Sequence, residues 1–332
     1  TRHLADQSLT DQDRKMLLLE ANTWELLQRV YEHRRKPHGN SRTAQEMLKG
    51  NPYTPTAALY SAWLDHSSRL GELCEVQKWL EVTYKPQEPP LLSKEYWKFT
   101  RMDLKQKKRQ GMNNRTGYVR TMDPDALNRT GDSGVLNADD AEEERALLNS
   151  VFQHIRAGRL EAAAKICEDA ARPWRAAVIR GGYFLQWEGL EDLFTHAEDV
   201  GKQDLWSGNR KWLLWRQTCI RAAMSNALSV TDKAIHAAIS PSLVTLPALV
   251  PMCHNNWEDQ LWARLSALIG DRIETKMNET AGGFWNRGTL LDRLALLEQT
   301  ETDSKPTNEQ DSEWETIIAH QLDELADVAV NT

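Results

Sequence analysis

The chain has 332 residues, a formal net charge of −7 and a hydrophobic content of 40%, with a pI near 5.8 and a mean hydropathy of −0.62. No stretch reaches the roughly 18 consecutive apolar residues a membrane-spanning helix needs, and 13 tryptophans are too much aromatic mass for an unfolded chain. The acidic balance argues against nucleic acid as the main partner, and the length fits one large domain or two intimate ones at roughly 100–200 residues each.

The dominant period is helical. Leu17, Ala21, Trp24, Leu27 and Tyr31 follow three- and four-residue steps and predict one apolar face of a helix, with Thr10 and Asp13 spaced to cap its start. Thr54-Pro55 opens a second long stretch carrying Leu59, Trp63, Leu70, Leu73 and Leu80, with Gly71 as its candidate break. Lys85 to Pro90 reads as a linker, and Ser93 to Gln110 as a helix. Residues 111–137, rich in Gly, Asn, Thr and Asp, predict a long loop and the main organisational break. Leu148, Val151, Phe152 and Ile155 then give a helix stopped by Gly158. Leu160, Ala163, Ala164 and Cys167 give the next, and Pro173 starts a third with Trp174, Ala177 and Val178. Further helices are predicted at 209–226, 229–239, 255–277, 286–299 and 311–330, with a polar linker around 300–309. No segment alternates as a strand would, and no strict repeat period exists. The expected architecture is all-α: an irregular stack of helices divided into 1–110, 111–137, 138–300 and 301–332.

Candidate chemistry is sparse. Gly131-Asp132-Ser133-Gly134 spells a serine-protease tetrapeptide, but it sits in a polar loop with no partner histidine motif. Asp139, Asp140 and Glu143 could bind a metal-diphosphate, the basis of a helical-enzyme alternative; acids at a helix start also simply complement its dipole, which is the stronger reading. Cys253, His254, Glu258 and Asp259 lack the ligand number and spacing of a zinc site. Cys74, Cys167, Cys219 and Cys253 form no close pair and read as free buried thiols in a reducing compartment. Basic residues from Lys98 to Arg120 outnumber one acid, Asp103, and could touch an anionic membrane or an acidic neighbour; the plain alternative is a solvated helix end. Asn114, Asn128 and Asn278 open glycosylation-like triplets that match by chance if no secretory leader exists, and Thr1 to Glu20 offers none. A chain opening on Thr rather than Met reads as a piece of something longer. No Gly-rich phosphate loop is present, so no catalytic, cofactor or metal residue is expected.

Ordered strings then become informative. They are Met122-Asp123-Pro124-Asp125-Ala126, Glu144 to Leu148, Ile155 to Ala163 with Cys167, and Pro173-Trp174-Arg175-Ala176-Ala177. Gly208-Asn209, Leu214-Trp215, Cys219 and Ala234 to Ala238 follow, then Leu249 to Cys253, Trp257-Glu258-Asp259-Gln260-Leu261-Trp262-Ala263 and Ile273-Glu274. In this order they resemble the nucleoporin-107/nucleoporin-84 family, a scaffold subunit of the Y-shaped outer-ring complex of the nuclear pore, over about Asp123 to Glu274.

The resemblance implies an ancestral-coatomer helical fold, in which a trunk folds back over a crown, and a place at the nuclear envelope. It implies support of nucleocytoplasmic transport, mRNA export included, and no enzyme activity. It also implies crown-to-crown contact with nucleoporin-96 (the 145C counterpart), and a nucleoporin-133 site in a C-terminal tail expected to be absent here. A vesicle-coat-like helical adaptor is the neighbouring alternative. Trp174, Arg175, Gly208, Asn209, Trp215, Cys219, Trp257, Glu258, Asp259 and Trp262 are expected to act in folding. Ile166, Ile179, Tyr183 and Phe184 lie off the main apolar stripes and are expected to offer partner surface if exposed.

Overall fold

A computed structural model describes residues 10–90, 93–110, 119, 122–124, 126, 135–187, 206–253, 256–279, 316 and 320. Its helices in chain order are α1 (Asp11–Arg35), α2 (Ala44–Gly50), α3 (Thr56–His66), α4 (Ser68–Thr83), α5 (Lys98–Arg109), α6 (Ala138–Arg156), α7 (Leu160–Asp169) and α8 (Pro173–Arg180). They continue as α9 (Trp212–Met224), α10 (Val230–Ile239), the short α11 (Leu246–Leu249) and α12 (Trp257–Glu279). The fold is all-α apart from two-residue strands β1 (Gln186–Trp187) and β2 (Trp206–Ser207), which pair antiparallel between α8 and α9. Two residues are too few to alternate, which is why no strand was legible in the sequence.

Local chemistry sets the helix ends. Thr10 and Asp13 form the predicted capping box on α1, and Thr43 with Glu46 forms another on α2, a helix the apolar pattern did not reveal. Pro173 occupies the first turn of α8, where its missing N–H costs nothing. Gly158 ends α6 at φ 68°, as expected of a C-terminal glycine.

The boundaries differ from expectation in three places. The 54–80 stretch breaks at Ser67, whose hydroxyl caps α4, and not at Gly71. Gly71 lies inside α4 against His33, whose ring carbon would stand 2.5 Å from an added Cβ, so it is a packing glycine. The helix expected from Ser93 begins at Lys98, because Trp97 takes a left-handed φ of 43° that helical backbone cannot continue through. The helices expected at 286–299 and 311–330 fall outside the described residues, save Thr316 and His320.

In the packing, α4 lies between α1 and α12, while α6 packs on α7 and α10, α7 on α8 and α9 on α10. One apolar core joins Leu59, Trp63 and Leu80 to Leu147, Phe152, Cys167, Ile235, Trp262 and Ile269. Residues before and after the long loop therefore share a single interior. A smaller cluster of Trp97, Val119, Ala126 and Leu136 pins part of the 111–137 segment onto α5 and α6.

α1 turns its apolar stripe away from the core. Its inner residues are Asn22, Leu26, Arg29 and His33, and its clearest apolar stripe, Leu17, Trp24, Leu27 and Tyr31, faces outward.

Candidate functional site

Three clusters, each centred on a buried arginine, tie the stack together. Arg172, just before α8, directs Nε and Nη2 at Glu144 Oε2 of α6, at 3.1 and 3.0 Å. Arg175, one turn on, spans from Glu144 Oε1 (2.9 Å) to Asp232 Oδ1 (2.5 Å) of α10. Asp232 is itself set by Ser229, which caps α10. Burial works against the charge on Arg175, but Asp232 and Glu144 outweigh it and hold the guanidinium above its ordinary pKa. Trp97 Nε1 also donates to Glu144, at 3.4 Å. Tyr96 lies under the Arg172 guanidinium at 4.8 Å and meets Trp174 edge-on at 5.1 Å.

The second cluster centres on Arg156 at the end of α6. It donates to Asp259 Oδ1 (2.8 Å), Leu80 O (2.8 Å) and Glu258 O (3.4 Å), joining α4, α6 and α12. Its guanidinium lies 4.8 Å from the ring centre of Tyr84 and 5.0 Å from that of Trp262. Trp262 Nε1 donates to Glu81 Oε1 at 3.2 Å. Burial raises the pKa of the Glu81 carboxyl, against the hydrogen bond from Trp262 and the charge of Arg156.

The third centres on Arg216 of α9. It reaches Glu274 and Asp271 of α12 and the Pro241 carbonyl, each at 2.7 Å. Apolar packing is indifferent to register at the scale of an ångström. A guanidinium that reaches set acceptors on two or three elements is not, so these contacts fix how the helices sit.

The turn after α8 is built the same way. Trp215 Nε1 donates to Val178 O (2.9 Å), Trp212 Nε1 to Gly182 O (3.1 Å) and Asn209 Nδ2 to Gly181 O (2.8 Å), so side chains satisfy carbonyls that the helix end leaves open. Gly208 sits at φ 87°, and an added Cβ would lie 2.0 Å from Phe184 O, so no other residue fits. Cys219 is buried in α9, its thiol pKa pushed up to about 12 by burial. Of the residues expected to act in folding, Arg175 and Asp259 lie in ion-pair pins, Asn209, Trp215 and Trp262 donate hydrogen bonds, and Gly208 fits the turn. Trp257 is 42% exposed at the start of α12.

The four residues expected on a partner face separate. Ile179 is only 2% exposed and belongs to the core, so it offers no surface. Its place on the inner side of α8 is the reason. Ile166 and Phe184 are half-buried and packed on that core, Phe184 between Tyr60 (5.1 Å) and Trp212 (5.0 Å). Tyr183 stands exposed beside them. A cavity of about 280 Å³ opens between α8 and α10, lined by Trp174, Val178, Ile235 and His236, with the Arg175–Asp232 pair on its wall.

The remaining sequence motifs have structural roles or lie elsewhere. Asp140 is buried, and its carboxylate accepts the Phe99 and Thr100 amides at 3.3 and 2.5 Å, capping α5 from another helix; Asp139 is exposed. The two acids do not converge, and among the described residues no group of three His, Cys, Asp or Glu could hold a metal. Asp259 is committed to Arg156. Gly131 to Gly134 and His254 lie outside the described residues.

Sequence reading missed Arg156, Arg172 and Arg216. A signal did exist for Arg216, which stands on the buried Trp212, Cys219 and Ala223 stripe of α9. A cation on an apolar stripe marks a buried ion pair, although its partner is not legible.

A family model described as Nuclear pore protein 84 / 107 matches residues 14–331. The Nuclear pore complex protein Nup107 of Drosophila melanogaster is 28% identical over 270 residues, covering 78% of this chain and 30% of the relative. Nup107 of Homo sapiens is 28% identical over 241 residues, covering 67% of this chain and 24% of the relative. Nucleoporin nup107 of Schizosaccharomyces pombe is 25% identical over 269 residues, covering 79% and 30%. The chain therefore spans less than a third of the length of these relatives. The family match takes in every arginine pin and indole cap described above, and the chain belongs to the nuclear pore protein 84/107 family.

Proposed function

We propose that this chain is a non-catalytic scaffold segment of the nuclear pore outer ring, located at the nuclear envelope and supporting nucleocytoplasmic transport by helix-to-helix contact. The observation that carries this reading is the family match over residues 14–331, together with the arginine lattice inside it. A strut transmits load only if its helices cannot slide, and directional ion pairs between helices supply that rigidity.

The partner we propose is nucleoporin-96. The face we propose is Tyr183 with the outer edges of Ile166 and Phe184; the α8–α10 cavity, lined by other residues, has room for a partner side chain. A lasting contact needs upward of about 1,200 Å², so neighbouring helix surface must contribute. We propose that contact with nucleoporin-133 falls to the C-terminal tail of the family. Peripheral contact of 98–120 with membrane or ring neighbours rests on exposed Lys98, Lys105, Lys108 and Arg109.

Size-exclusion co-elution with nucleoporin-96 tests the assignment. Tyr183→Asp and Ile166→Asp should each reduce co-elution while circular dichroism stays unchanged. Undiminished co-elution of both removes this face.

A further inference from the structure

α1 has one face committed and one free. On the committed face, Trp79 Nε1 donates to Asn22 O at 2.8 Å, His33 Nε2 donates to Ser68 O at 2.9 Å, and Leu26 packs on the core. On the opposite face, Leu17, Trp24 and Tyr31 recur every seventh residue with Leu27 between them, and Trp24 is 64% and Tyr31 61% exposed. Seven of the seventeen large hydrophobic side chains exposed among the described residues lie on this one helix. Exposed apolar residues scattered singly are ordinary; large apolar residues kept to one face at seven-residue spacing are the pattern of a helix that pairs with another helix.

The charges indicate the partner. Asp13 stands in the first turn of α1 and Arg35 in its last, equally far from Trp24, whereas Arg34 is already held by Glu72 of α4 and Asp11 pairs with Arg14 within the helix. A parallel copy would stack like charge on like. An antiparallel copy, with its two-fold axis near Trp24, sets each acidic end on the other's basic end and brings Leu17 towards the other copy's Tyr31. The surface is complementary to itself, as a two-fold interface requires.

We infer that α1 is a self-association face, through which two copies of this chain pair antiparallel along Leu17, Trp24, Leu27 and Tyr31. The 25-residue helix is about 37 Å long at about 1.5 Å per residue. One helix pair of that length sits near the lower edge of stable interfaces, so the dimer forms and dissociates with concentration. The inference is independent of the nucleoporin-96 face, which lies on other helices.

Sedimentation equilibrium of the 332-residue chain across micromolar concentrations tests it. The expected result is a monomer–dimer equilibrium that Trp24→Glu weakens at least about tenfold, with circular dichroism and thermal midpoint unchanged because the side chain is exposed. Orientation is read by cysteine crosslinking, since the four native thiols are buried. A mixture of Leu17→Cys and Tyr31→Cys chains should form a mixed disulfide that neither forms alone. A monomer at every concentration, which would leave the seam to a different chain, overturns the inference, as does a dimer indifferent to Trp24→Glu. Crosslinking of each variant to itself overturns the antiparallel arrangement.

Discussion

Removing Glu144 tests whether the arginine lattice holds the stack. Its carboxylate takes hydrogen bonds from Arg172 Nε and Nη2, Arg175 Nη2 and Trp97 Nε1. With Asp232 it balances two guanidinium charges, and Arg172 is only 3% exposed. Glu144→Ala leaves that cluster with one uncompensated buried positive charge. Breaking a buried pair from one side costs about 3–5 kcal/mol, a large share of the roughly 5–15 kcal/mol that stabilises a domain. Urea unfolding followed by circular dichroism should show that loss as a lower midpoint at unchanged slope. The double variant Glu144→Leu/Arg172→Met removes the charge along with its partner and should recover to within about 2 kcal/mol of the parent, since apolar replacement of a whole buried pair is often neutral. A loss below about 1 kcal/mol in the single variant, or a double variant no better than the single, would refute the lattice as a structural determinant.

Gly208→Ala should lower the thermal midpoint, because left-handed backbone costs about 1–2 kcal/mol in an L-residue and the added Cβ meets the Phe184 carbonyl oxygen at 2.0 Å; an unchanged melting curve would contradict the turn geometry. Glu81→Gln should stabilise the chain at neutral pH while keeping an acceptor for Trp262 Nε1. The sign follows from the raised carboxyl pKa in the fold: its favourable contribution is complete below the unfolded carboxylate pKa and is lost as pH rises through the folded one. The advantage of Glu81→Gln in urea midpoint should therefore shrink as pH is lowered towards 4 (roughly the free carboxyl value), and an advantage that grows on acidification would reverse the assignment. Burial pushes the thiol pKa up to about 11 at Cys74 and about 12 at Cys167, Cys219 and Cys253. A thiol-specific reagent at neutral pH should accordingly label none of the four quickly in the native chain and all four in urea. Fast native labelling at any one would show that its burial is wrong.

Most helices were legible because their signal is local. The Leu148, Val151, Phe152, Ile155 spacing and the Thr10–Asp13 cap sit within a turn or two of what they specify, and both hold in the structure. The errors fall where a neighbour intervenes. Gly71 reads as a breaker along the chain and is a notch for His33 in space. Ile179 is off the Trp174/Val178 stripe, yet α8 is embedded deeply enough to bury it. Asp140 reads as an acid favouring its own helix dipole, and its carboxylate caps α5 instead.

Residue order along the chain was enough to establish an all-helical protein and its family, since periodicity reports angle around one helix axis and the family strings are linear. Which side of each helix turns inward required the packed molecule: the best apolar stripe of α1 points away from the core while a face bearing Asn22, Arg29 and His33 points towards it. The same holds for the pins, because Arg156 and Asp259 are 103 residues apart and Arg216 and Glu274 are 58 apart. No spacing rule spans such distances; the partners meet because the apolar core first brings their helices together, and the ion pairs then select one register.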